Sequence, residues 1–229
     1  MPVSPARTPT PTKASTVYER LRADVLSAVL EPGAKLRIDF VCARYEARNT
    51  PVREALNRLA AEGLLHRQEQ RGFSVAPMSA QELAELTRTR VAIESLALGE
   101  CLARRTPEWE EQLLLARHRL ERTPRSLQGD RYDANPQWER RHRDFHRALI
   151  AACGSRWLLR YCDELADQAY RYRQRSMQAA YHQRDVAAEH AAIADAALAG
   201  DAARARALLA SHLERTATLL PWHDPPRPA

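Results

Sequence analysis

Cysteine and glycine are scarce in this chain, and neither follows a pattern that a special scaffold needs. The four cysteines, at positions 42, 101, 153 and 162, form no CxxC pair and no disulfide framework. A small disulfide-bonded domain is thereby excluded, and we expect buried, reduced thiols in a cytoplasmic protein. With only 7 glycines and 6% aromatic residues, the composition favours helices over sheet.

Long apolar runs are missing as well. No stretch approaches the roughly 20 apolar residues that cross a bilayer, and residues 1–15 lack the apolar centre of a signal peptide. The 229 residues suffice for two domains of ordinary size. We predict a disordered arm over residues 1–15, a first domain over 16–77, a second over 79–220, and a loose, proline-rich tail over 221–229.

Positive charge is concentrated near the start of the chain. The formal net charge is +6, and residues 1–78 hold 12 basic and 8 acidic side chains. Two thirds of the excess therefore lies in the first third of the sequence. A DNA-binding domain uses such an excess to neutralise phosphates, although charge of this size does not identify one by itself.

The most informative stretch begins at Arg48. Thr50 suits the N-cap of a helix and Pro51 its first position. Apolar side chains then share one helical face, namely Val52, Ala55, Leu56 and Leu59. Polar and basic residues crowd the start of the helix and its other face: Arg48, Asn49, Thr50 and Arg53. Such residues suit the edges and phosphates of the DNA major groove, but an ordinary surface helix with two arginines is also compatible with them.

The flanking sequence favours DNA binding. An amphipathic helix is predicted from Val17 to Leu30, with Val29 on its apolar side, and a second short helix precedes the turn into the Thr50 helix. Two strands follow, at about 66–68 and 73–76, joined through a turn that contains Arg71 and Gly72. Three helices and a basic-tipped hairpin form a winged helix-turn-helix, whose third helix enters the groove.

Several strings in this region resemble the N-terminal domain of GntR-family bacterial transcription regulators. They are Pro32-Gly33, Thr50-Pro51-Val52-Arg53-Glu54-Ala55-Leu56, Glu62-Gly63-Leu64 and Arg71-Gly72-Phe73-Ser74-Val75. The resemblance implies DNA contacts from Arg48, Asn49, Thr50, Pro51, Arg53, Arg71 and Gly72. Two positions depart from the family pattern: Arg48-Asn49 replaces the usual Ser-Arg, and Glu46 replaces the usual glycine of the turn.

The sequence from Ser79 onward is predicted to be helical. Ser79 and Glu82 form a capping box. Helices are expected at 79–104, 107–121, 136–153, 155–179, 183–199 and 201–219, with glycine and proline between them. The predicted fold is therefore mainly α: a winged helix-turn-helix with three helices and a small β-hairpin wing, followed by an all-α antiparallel helical bundle.

Four histidines in this bundle suggest a metal site. His142 and His146 lie one turn apart on one helix face, and His190 and His212 each lie on a later helix. Imidazoles that converge from three helices suit zinc, and also nickel or another transition metal. The alternative is four unrelated histidines, because His-x3-His pairs arise on many helices and the chain has others, such as His118.

The same region resembles the FCD effector domain of the FadR subfamily of GntR regulators, over about residues 79–220. The motifs are Arg90-Val91-Ala92-Ile93-Glu94, Phe145-His146-Arg147-Ala148-Leu149, Glu189-His190 and His212-Leu213. In that domain an aspartate and three histidines hold a metal, which implies His146, His190 and His212 as ligands. His142 replaces the aspartate and either ligates as a fourth imidazole or contacts the effector, since Asp144 points roughly 200° around the helix.

The resemblance also implies a small carboxylate effector bound near the metal. Arg90 is its expected partner, because a guanidinium holds a carboxylate at two points. An ion pair with Glu94 is the alternative role. Arg171 and Tyr172 are further candidates, with a surface or dimer-facing stretch as the alternative. The segment from Trp138 to Tyr172 is most similar to the carbon-starvation-induced regulators, which implies glutarate or a similar diacid.

These observations together predict an effector-responsive transcription regulator, usually a repressor in this family, that binds operator DNA as a homodimer. The effector would favour a dimer whose wings no longer match the half-site spacing. A metal-dependent hydrolase that uses zinc-bound hydroxide is the alternative. No nucleophile–base pair accompanies the histidines, and an enzyme would leave the winged domain unexplained, so we predict no enzymatic activity.

Overall fold

The computed structural model describes residues 12–68, 72–129, 131–181 and 183–218. It divides into two compact units, one ending at Met78 and the other beginning at Ser79. Helices dominate both units, and the sheet found in the described residues belongs to the first. The mainly α fold predicted from the sequence is confirmed. None of the described helices combines the length and the apolar composition needed to cross a membrane.

The first unit consists of three helices and a small sheet. Its elements are α1 (Lys13–Leu26), β1 (Lys35–Leu36), α2 (Ile38–Tyr45), α3 (Asn49–Ala61), β2 (Leu65–Gln68) and β3 (Gly72–Val75). The sheet is antiparallel in the order β1-β3-β2, with Leu36 opposite Phe73 and Leu65 opposite Val75. Its core is almost completely buried and includes Leu21, Val25, Val41, Val52, Leu56 and Leu59. The apolar faces predicted for α1 and α3 therefore supply a large part of this core.

Three local predictions in this unit are corrected. Helix α1 begins at Lys13, and the side chain of its N-cap residue, Thr12, accepts a backbone N–H from the first turn. Residues 13–15 are therefore helical rather than part of an arm. The helix ends at Leu26, and Val29 is 58% exposed because Ala28 turns the chain with a φ of 59°. Strand β1 was not predicted, since two residues are too few to show alternation. The rest of the predicted arm, residues 1–11, and the predicted tail lie outside the described residues.

The second unit is a helical bundle. Its helices are α4 (Ala80–Ala103), α5 (Pro107–Glu121), α6 (Pro136–Ile150), α7 (Arg156–Ala180), α8 (Val186–Leu198) and α9 (Ala202–Thr218). Helix α4 packs on α7 and α9, α5 packs on α6 and α8, and α8 packs on α9. Side chains that accept backbone N–H groups begin most of these helices: Thr106, Asn135, Ser155 and Asp185. Such caps explain why the predicted helices agree closely with the observed ones.

The cap of α4 is completed by a residue distant in sequence. The Ser79 hydroxyl accepts from the Glu82 N–H at 3.0 Å, as predicted. The Glu82 carboxylate accepts from the Tyr172 hydroxyl at 2.6 Å, and the Tyr172 oxygen accepts from the Ser79 N–H at 3.3 Å. Tyr172 on α7 is thus inserted into the capping box and joins α7 to the start of α4.

The bundle core contains three of the four cysteines. Cys101, Cys153 and Cys162 are buried free thiols, and Cys42 in the first unit is also free. Burial raises the pKa of Cys101 to about 11 and that of Cys162 to about 12. Both thiols are therefore protonated at neutral pH and are poor nucleophiles.

Candidate functional site

The exposed start of α3 gathers five of the residues predicted to contact DNA. Arg48 is the N-cap residue, Asn49 begins the helix, and both are exposed together with Thr50 and Arg53, while Pro51 is half-buried. The opposite face is buried and consists of Val52, Ala55, Leu56 and Leu59. The Arg53 Nε donates to the Asn49 Oδ1 at 2.9 Å, which holds both side chains on one side of the helix. A basic and amide surface on a packed helix is what contact with the major groove requires.

The prediction of Thr50 as the N-cap is wrong by two residues. The Arg48 backbone is extended, with φ −79° and ψ 165°, and its carbonyl accepts from the Val52 N–H at 3.3 Å. Thr50 and Pro51 therefore lie within the first turn. Among the described residues, no side chain caps this helix end, so its N–H groups can bind a phosphate.

The turn between α2 and α3 depends on a left-handed residue. Glu46 has a φ of 53°, and its N–H donates to the Cys42 carbonyl at the end of α2. Glycine adopts this conformation without steric cost, whereas other residues are strained there. The turn therefore explains the glycine that the family usually has, and Glu46 keeps the same geometry with some backbone strain.

The wing is a β-hairpin in which Gly72 opens β3. Gly72 lies opposite Gln68 and has a φ of 87°. A Cβ atom at Gly72 would approach the Leu36 carbonyl only to 3.9 Å, so the backbone angle rather than a lack of space favours glycine. Arg71, the predicted basic tip, lies outside the described residues.

The four histidines of the second unit converge. His142 and His146 on α6, His190 on α8 and His212 on α9 each place a ring nitrogen within 4.8 Å of the others. Ring centroids lie 4.6 Å apart for His142 and His146 and 4.7 Å apart for His190 and His212. Asp144 is exposed and pairs with Arg141, as its position on the helix predicts. The alternative of four unrelated histidines is therefore wrong.

Burial keeps these imidazoles neutral. It lowers the pKa of His142, His146 and His190 well below 6.5, and that of His212 to about 4, and neighbouring arginines add to the effect. Both ring nitrogens of His146 and the Nε2 of His190 are buried and make no hydrogen bond within the described ranges. Neutral imidazole is the form that binds a metal, and a buried nitrogen without a partner is costly. The donor set therefore fits a transition metal ion.

Glu189 and Arg184 orient the fourth imidazole. The Glu189 Oε2 lies 2.8 Å from the Nδ1 of His212, which places the proton on Nδ1 and leaves the lone pair on Nε2. Arg184 donates to both Glu189 oxygens and, at 2.7 Å, to the His212 carbonyl. Although burial raises the pKa of Glu189, these hydrogen bonds outweigh it and hold that pKa well below its usual range.

The three predicted effector-binding residues lie in different places. Arg90 is buried on α4, donates from Nε to Glu94 at 2.7 Å, and lowers the pKa of His146 and His212, so it lies near the cluster. Its other guanidinium nitrogens make no hydrogen bond to the described residues. Tyr172 belongs to the cap of α4. Arg171 is also buried, so neither of these two side chains lies on the surface. The charged groups that act on Arg171 are Tyr172 and Glu82.

The α7 arginine whose charge acts on the histidines is Arg173, which belongs to the same candidate stretch as Arg171 and Tyr172 but was not chosen as an effector-binding residue. Arg173 lowers the pKa of three of the histidines and donates to the buried Glu139. Trp138, also not predicted, stacks on His142 with ring centroids 4.7 Å apart. Helical periodicity shows which residues share a face, but not which face of α7 meets α6. No signal in a single sequence separates Arg171 from Arg173 in this respect.

Comparison with known proteins assigns a family to each unit. The family model described as bacterial regulatory proteins, gntR family, matches residues 13–75, and the FCD domain model matches residues 85–215. BphR, an HTH-type transcriptional regulator of Paraburkholderia xenovorans (strain LB400), is 39% identical over 203 residues, which cover 89% of this chain and 83% of BphR. GlaR, an HTH-type transcriptional repressor of Escherichia coli (strain K12), is 34% identical over 204 residues, which cover 86% of this chain and 90% of GlaR.

Solved structures share the fold. E. coli McbR/YncC superposes with a TM-score of 0.70 at 21% identity, covering 89% of this chain and 94% of that one. A GntR regulator from Rhodococcus sp. RHA1 also has a TM-score of 0.70 at 21% identity, with coverage of 90% and 96%. The sequence relatives are transcription regulators and lend no support to the hydrolase alternative. The chain therefore belongs to the GntR family of bacterial regulatory proteins: it is a DNA-binding transcription regulator with an FCD domain, and not an enzyme.

Proposed function

We propose that this protein is a repressor that binds its operator as a homodimer and leaves it when a small carboxylate binds beside a metal ion in the second unit. The observation that carries the ligand-responsive part is the cluster of four neutral imidazoles, of which three are buried and that of His146 is partly buried. The likeness to GlaR, which is named a repressor, supports repression rather than activation.

DNA binding is assigned to the start of α3 and to the wing. Arg48, Asn49 and Arg53 present groups that suit base edges and phosphates, and the uncapped N–H groups around Thr50 suit a phosphate. Arg71 and Gly72 are assigned to the wing beside the DNA backbone. One such helix contacts only a few base pairs, so a homodimer on a pseudo-palindromic site is required for specificity.

The metal is assigned to His142, His146, His190 and His212, with zinc as the first choice and nickel as an alternative. The four nitrogens would draw closer than the 4.8 Å observed, because two nitrogens bound at about 2.1 Å to one ion are at most about 4.2 Å apart. His142 is buried and stacked on Trp138, and this fixed orientation suits a ligand. An all-histidine set brings no negative charge, so the ion keeps its double positive charge and attracts anions.

The effector is assigned to the anions that this charge attracts. Arg90 lies near the cluster and keeps two guanidinium nitrogens that are not bonded to Glu94. A carboxylate placed between the ion and Arg90 would be attracted by both. Because Arg90 is on α4 and the ligands are on α6, α8 and α9, such a carboxylate would draw α4 toward those helices. Regulation then requires that the effector bind the DNA-competent and DNA-released dimers with different affinity.

Fluorescence anisotropy on the DNA upstream of the gene tests this proposal. We expect tight, salt-sensitive binding that small carboxylates weaken, and we expect a chelator to abolish the response to the carboxylate. Arg90→Lys keeps the charge beside Glu94 but loses two-point contact, so it should bind DNA normally and need about tenfold more carboxylate. Arg88→Lys, at an exposed position of the same helix, is the matched control. Metal-loaded protein whose DNA affinity no carboxylate alters would contradict the proposal.

A further inference from the structure

Asn49 and Arg53 form a hydrogen-bonded pair on the exposed side of α3. The Arg53 Nε donates to the Asn49 Oδ1 at 2.9 Å, and both side chains are exposed. Residues four apart are neighbours on the surface of a helix, so the spacing favours this contact. Position 49 is also one of the two departures from the family pattern, so the pair is not implied by the resemblance.

The partner of Arg53 is an amide, whereas comparable arginines of the second unit are paired with carboxylates. Four arginines there form ion pairs with a glutamate four residues away: Arg90 with Glu94, Arg104 with Glu100, Arg117 with Glu121 and Arg160 with Glu164. A carboxylate orients a guanidinium but also offsets its charge. An amide oxygen orients it and leaves the charge for a partner rich in phosphate. Within the part of the chain that the structure describes, no carboxylate pairs with Arg53.

The hydrogen bond leaves the outer end of Arg53 open. Nε is the guanidinium nitrogen nearest the backbone, and the two Nη groups beyond it can donate side by side to the O6 and N7 of a guanine. A long arginine side chain has many rotamers, and fixing them on contact with DNA lowers the affinity. Asn49 reduces this loss, because it holds the side chain of Arg53 before DNA is bound.

The same hydrogen bond occupies a group that Asn49 would need to read a base. An asparagine reads adenine by presenting both its amide oxygen and its amide nitrogen to the base edge. The Oδ1 of Asn49 is directed at Arg53 instead. Reading adenine would therefore compete with holding Arg53.

We propose that Asn49 is a positioning residue, which orients Arg53 for a guanine and reads no base itself. The inference rests on the proposed function, in which the start of α3 contacts DNA, and it divides the roles of two residues assigned there. The operator half-site then has a guanine whose recognition depends on both residues, and no adenine whose recognition depends on Asn49 alone.

Selection from random-sequence DNA with the full chain gives the site that each variant prefers. Wild type should select a half-site with a guanine that Arg53→Ala no longer selects. Asn49→Ala should weaken the preference at that same position and at no other, because Arg53 alone loses its orientation. A merely structural effect of the substitution would lower the affinity for all sequences alike and leave the preference unchanged.

Fluorescence anisotropy on the selected site measures the coupling between the two residues. Asn49→Ala should weaken binding by about two- to tenfold for each α3 that contacts the DNA, which is the cost of ordering one long side chain. In the Arg53→Ala background the same substitution should change the affinity by less than about twofold. Asn57→Ala, at another exposed position four residues from Arg53, is the matched control and should have the same effect in both backgrounds.

The outcomes separate this inference from the proposed function. If Asn49→Ala loses selection of an adenine rather than of the guanine, or weakens binding equally with and without Arg53, the inference is overturned and α3 keeps its assignment to DNA. Equal coupling of Asn57 and Asn49 to Arg53 overturns it as well, since any neighbour would then serve. An Arg53→Ala variant that binds the selected site as wild type does overturns both the inference and the assignment of Arg53 to the DNA interface.

Discussion

The two units place their candidate functional residues in opposite surroundings. In the first unit, Arg48, Asn49 and Arg53 are exposed and lie within about one and a half helical turns of each other along the chain. In the second unit, the four histidines are enclosed by the bundle and come from three helices. A DNA-contacting surface must be reached from solvent, whereas an ion-binding cluster gains from exclusion of water and from fixed neighbours. The first kind of site therefore rests on one well-packed helix, and the second on the packing of the whole bundle.

The largest effect should come from removing one imidazole of the buried cluster. His190→Ala deletes one of the proposed ligands, so metal content should fall from about one ion per chain to near zero after dialysis. Plasma mass spectrometry of the dialysed protein measures this. His118→Ala, on the exposed side of α5, is the control and should retain the metal. Equal metal content in the two variants would refute the assignment of His190.

Loss of the carboxylate that orients His212 should have the next largest effect. Glu189→Gln removes the charged acceptor of the Nδ1 proton and leaves Arg184 without its ion pair. Metal affinity should fall by about 10- to 100-fold, as for other residues that hold a metal ligand in place. Competition with a chromophoric chelator gives the affinity. Glu214→Gln, exposed on the same helix as His212, should leave it unchanged, and an equal loss in both variants would point to a general charge effect.

A single substitution in the exposed surface of α3 should have a smaller effect, and that effect should be confined to DNA binding. Arg53→Ala should weaken operator binding by about 1–3 kcal/mol if Arg53 contacts a base, or reduce the salt slope by about 1 if it contacts a phosphate. Anisotropy across a salt series distinguishes these two contacts, and metal content should stay at the wild-type value. Arg160→Ala, an exposed arginine of α7 paired with Glu164, is the control of equal charge. If both variants bind the operator as wild type does, Arg53 is not part of the interface.

The smallest effect should be a gain in stability at the turn before α3. Glu46→Gly should raise the free energy of unfolding by about 0.5–1 kcal/mol, because glycine adopts the observed φ of 53° without strain. Denaturant unfolding measures the change. Gly33→Ala is the reverse control. Gly33 has a φ of 80°, and an added Cβ meets nothing within 4 Å, so the substitution should destabilise the protein through backbone strain alone. A Glu46→Gly variant no more stable than wild type would mean that the Glu46 side chain compensates for the strain.

Local signals predicted the elements well because they act over a few residues. Pro107 and Pro136 begin helices and Ser79 caps one, as the sequence predicts. The failures come from the structure that surrounds these residues. Thr50 has the chemistry of an N-cap, but the preceding turn already positions Arg48 there. Strand β1 forms only because β3 lies beside it.

The histidines show where prediction from the sequence ended. Spacing placed His142 and His146 on one face and His190 and His212 on later helices, and family resemblance then implied three of the four as metal ligands. Their shared position within 4.8 Å depends on how α6, α8 and α9 pack. The contact between Glu189 and His212, and the exchange of Arg171 for Arg173 beside the cluster, depend on the same packing.

The sequence by itself determined the helical composition, the winged domain with its exposed basic helix, and the family of both units. These follow from periodicity, caps and short motifs, in which each residue acts on its near neighbours. The tertiary structure alone decided that four histidines meet and that Tyr172 serves a helix cap. Such contacts join residues far apart in the chain, and their energies depend on burial and distance, which exist only once the helices have packed.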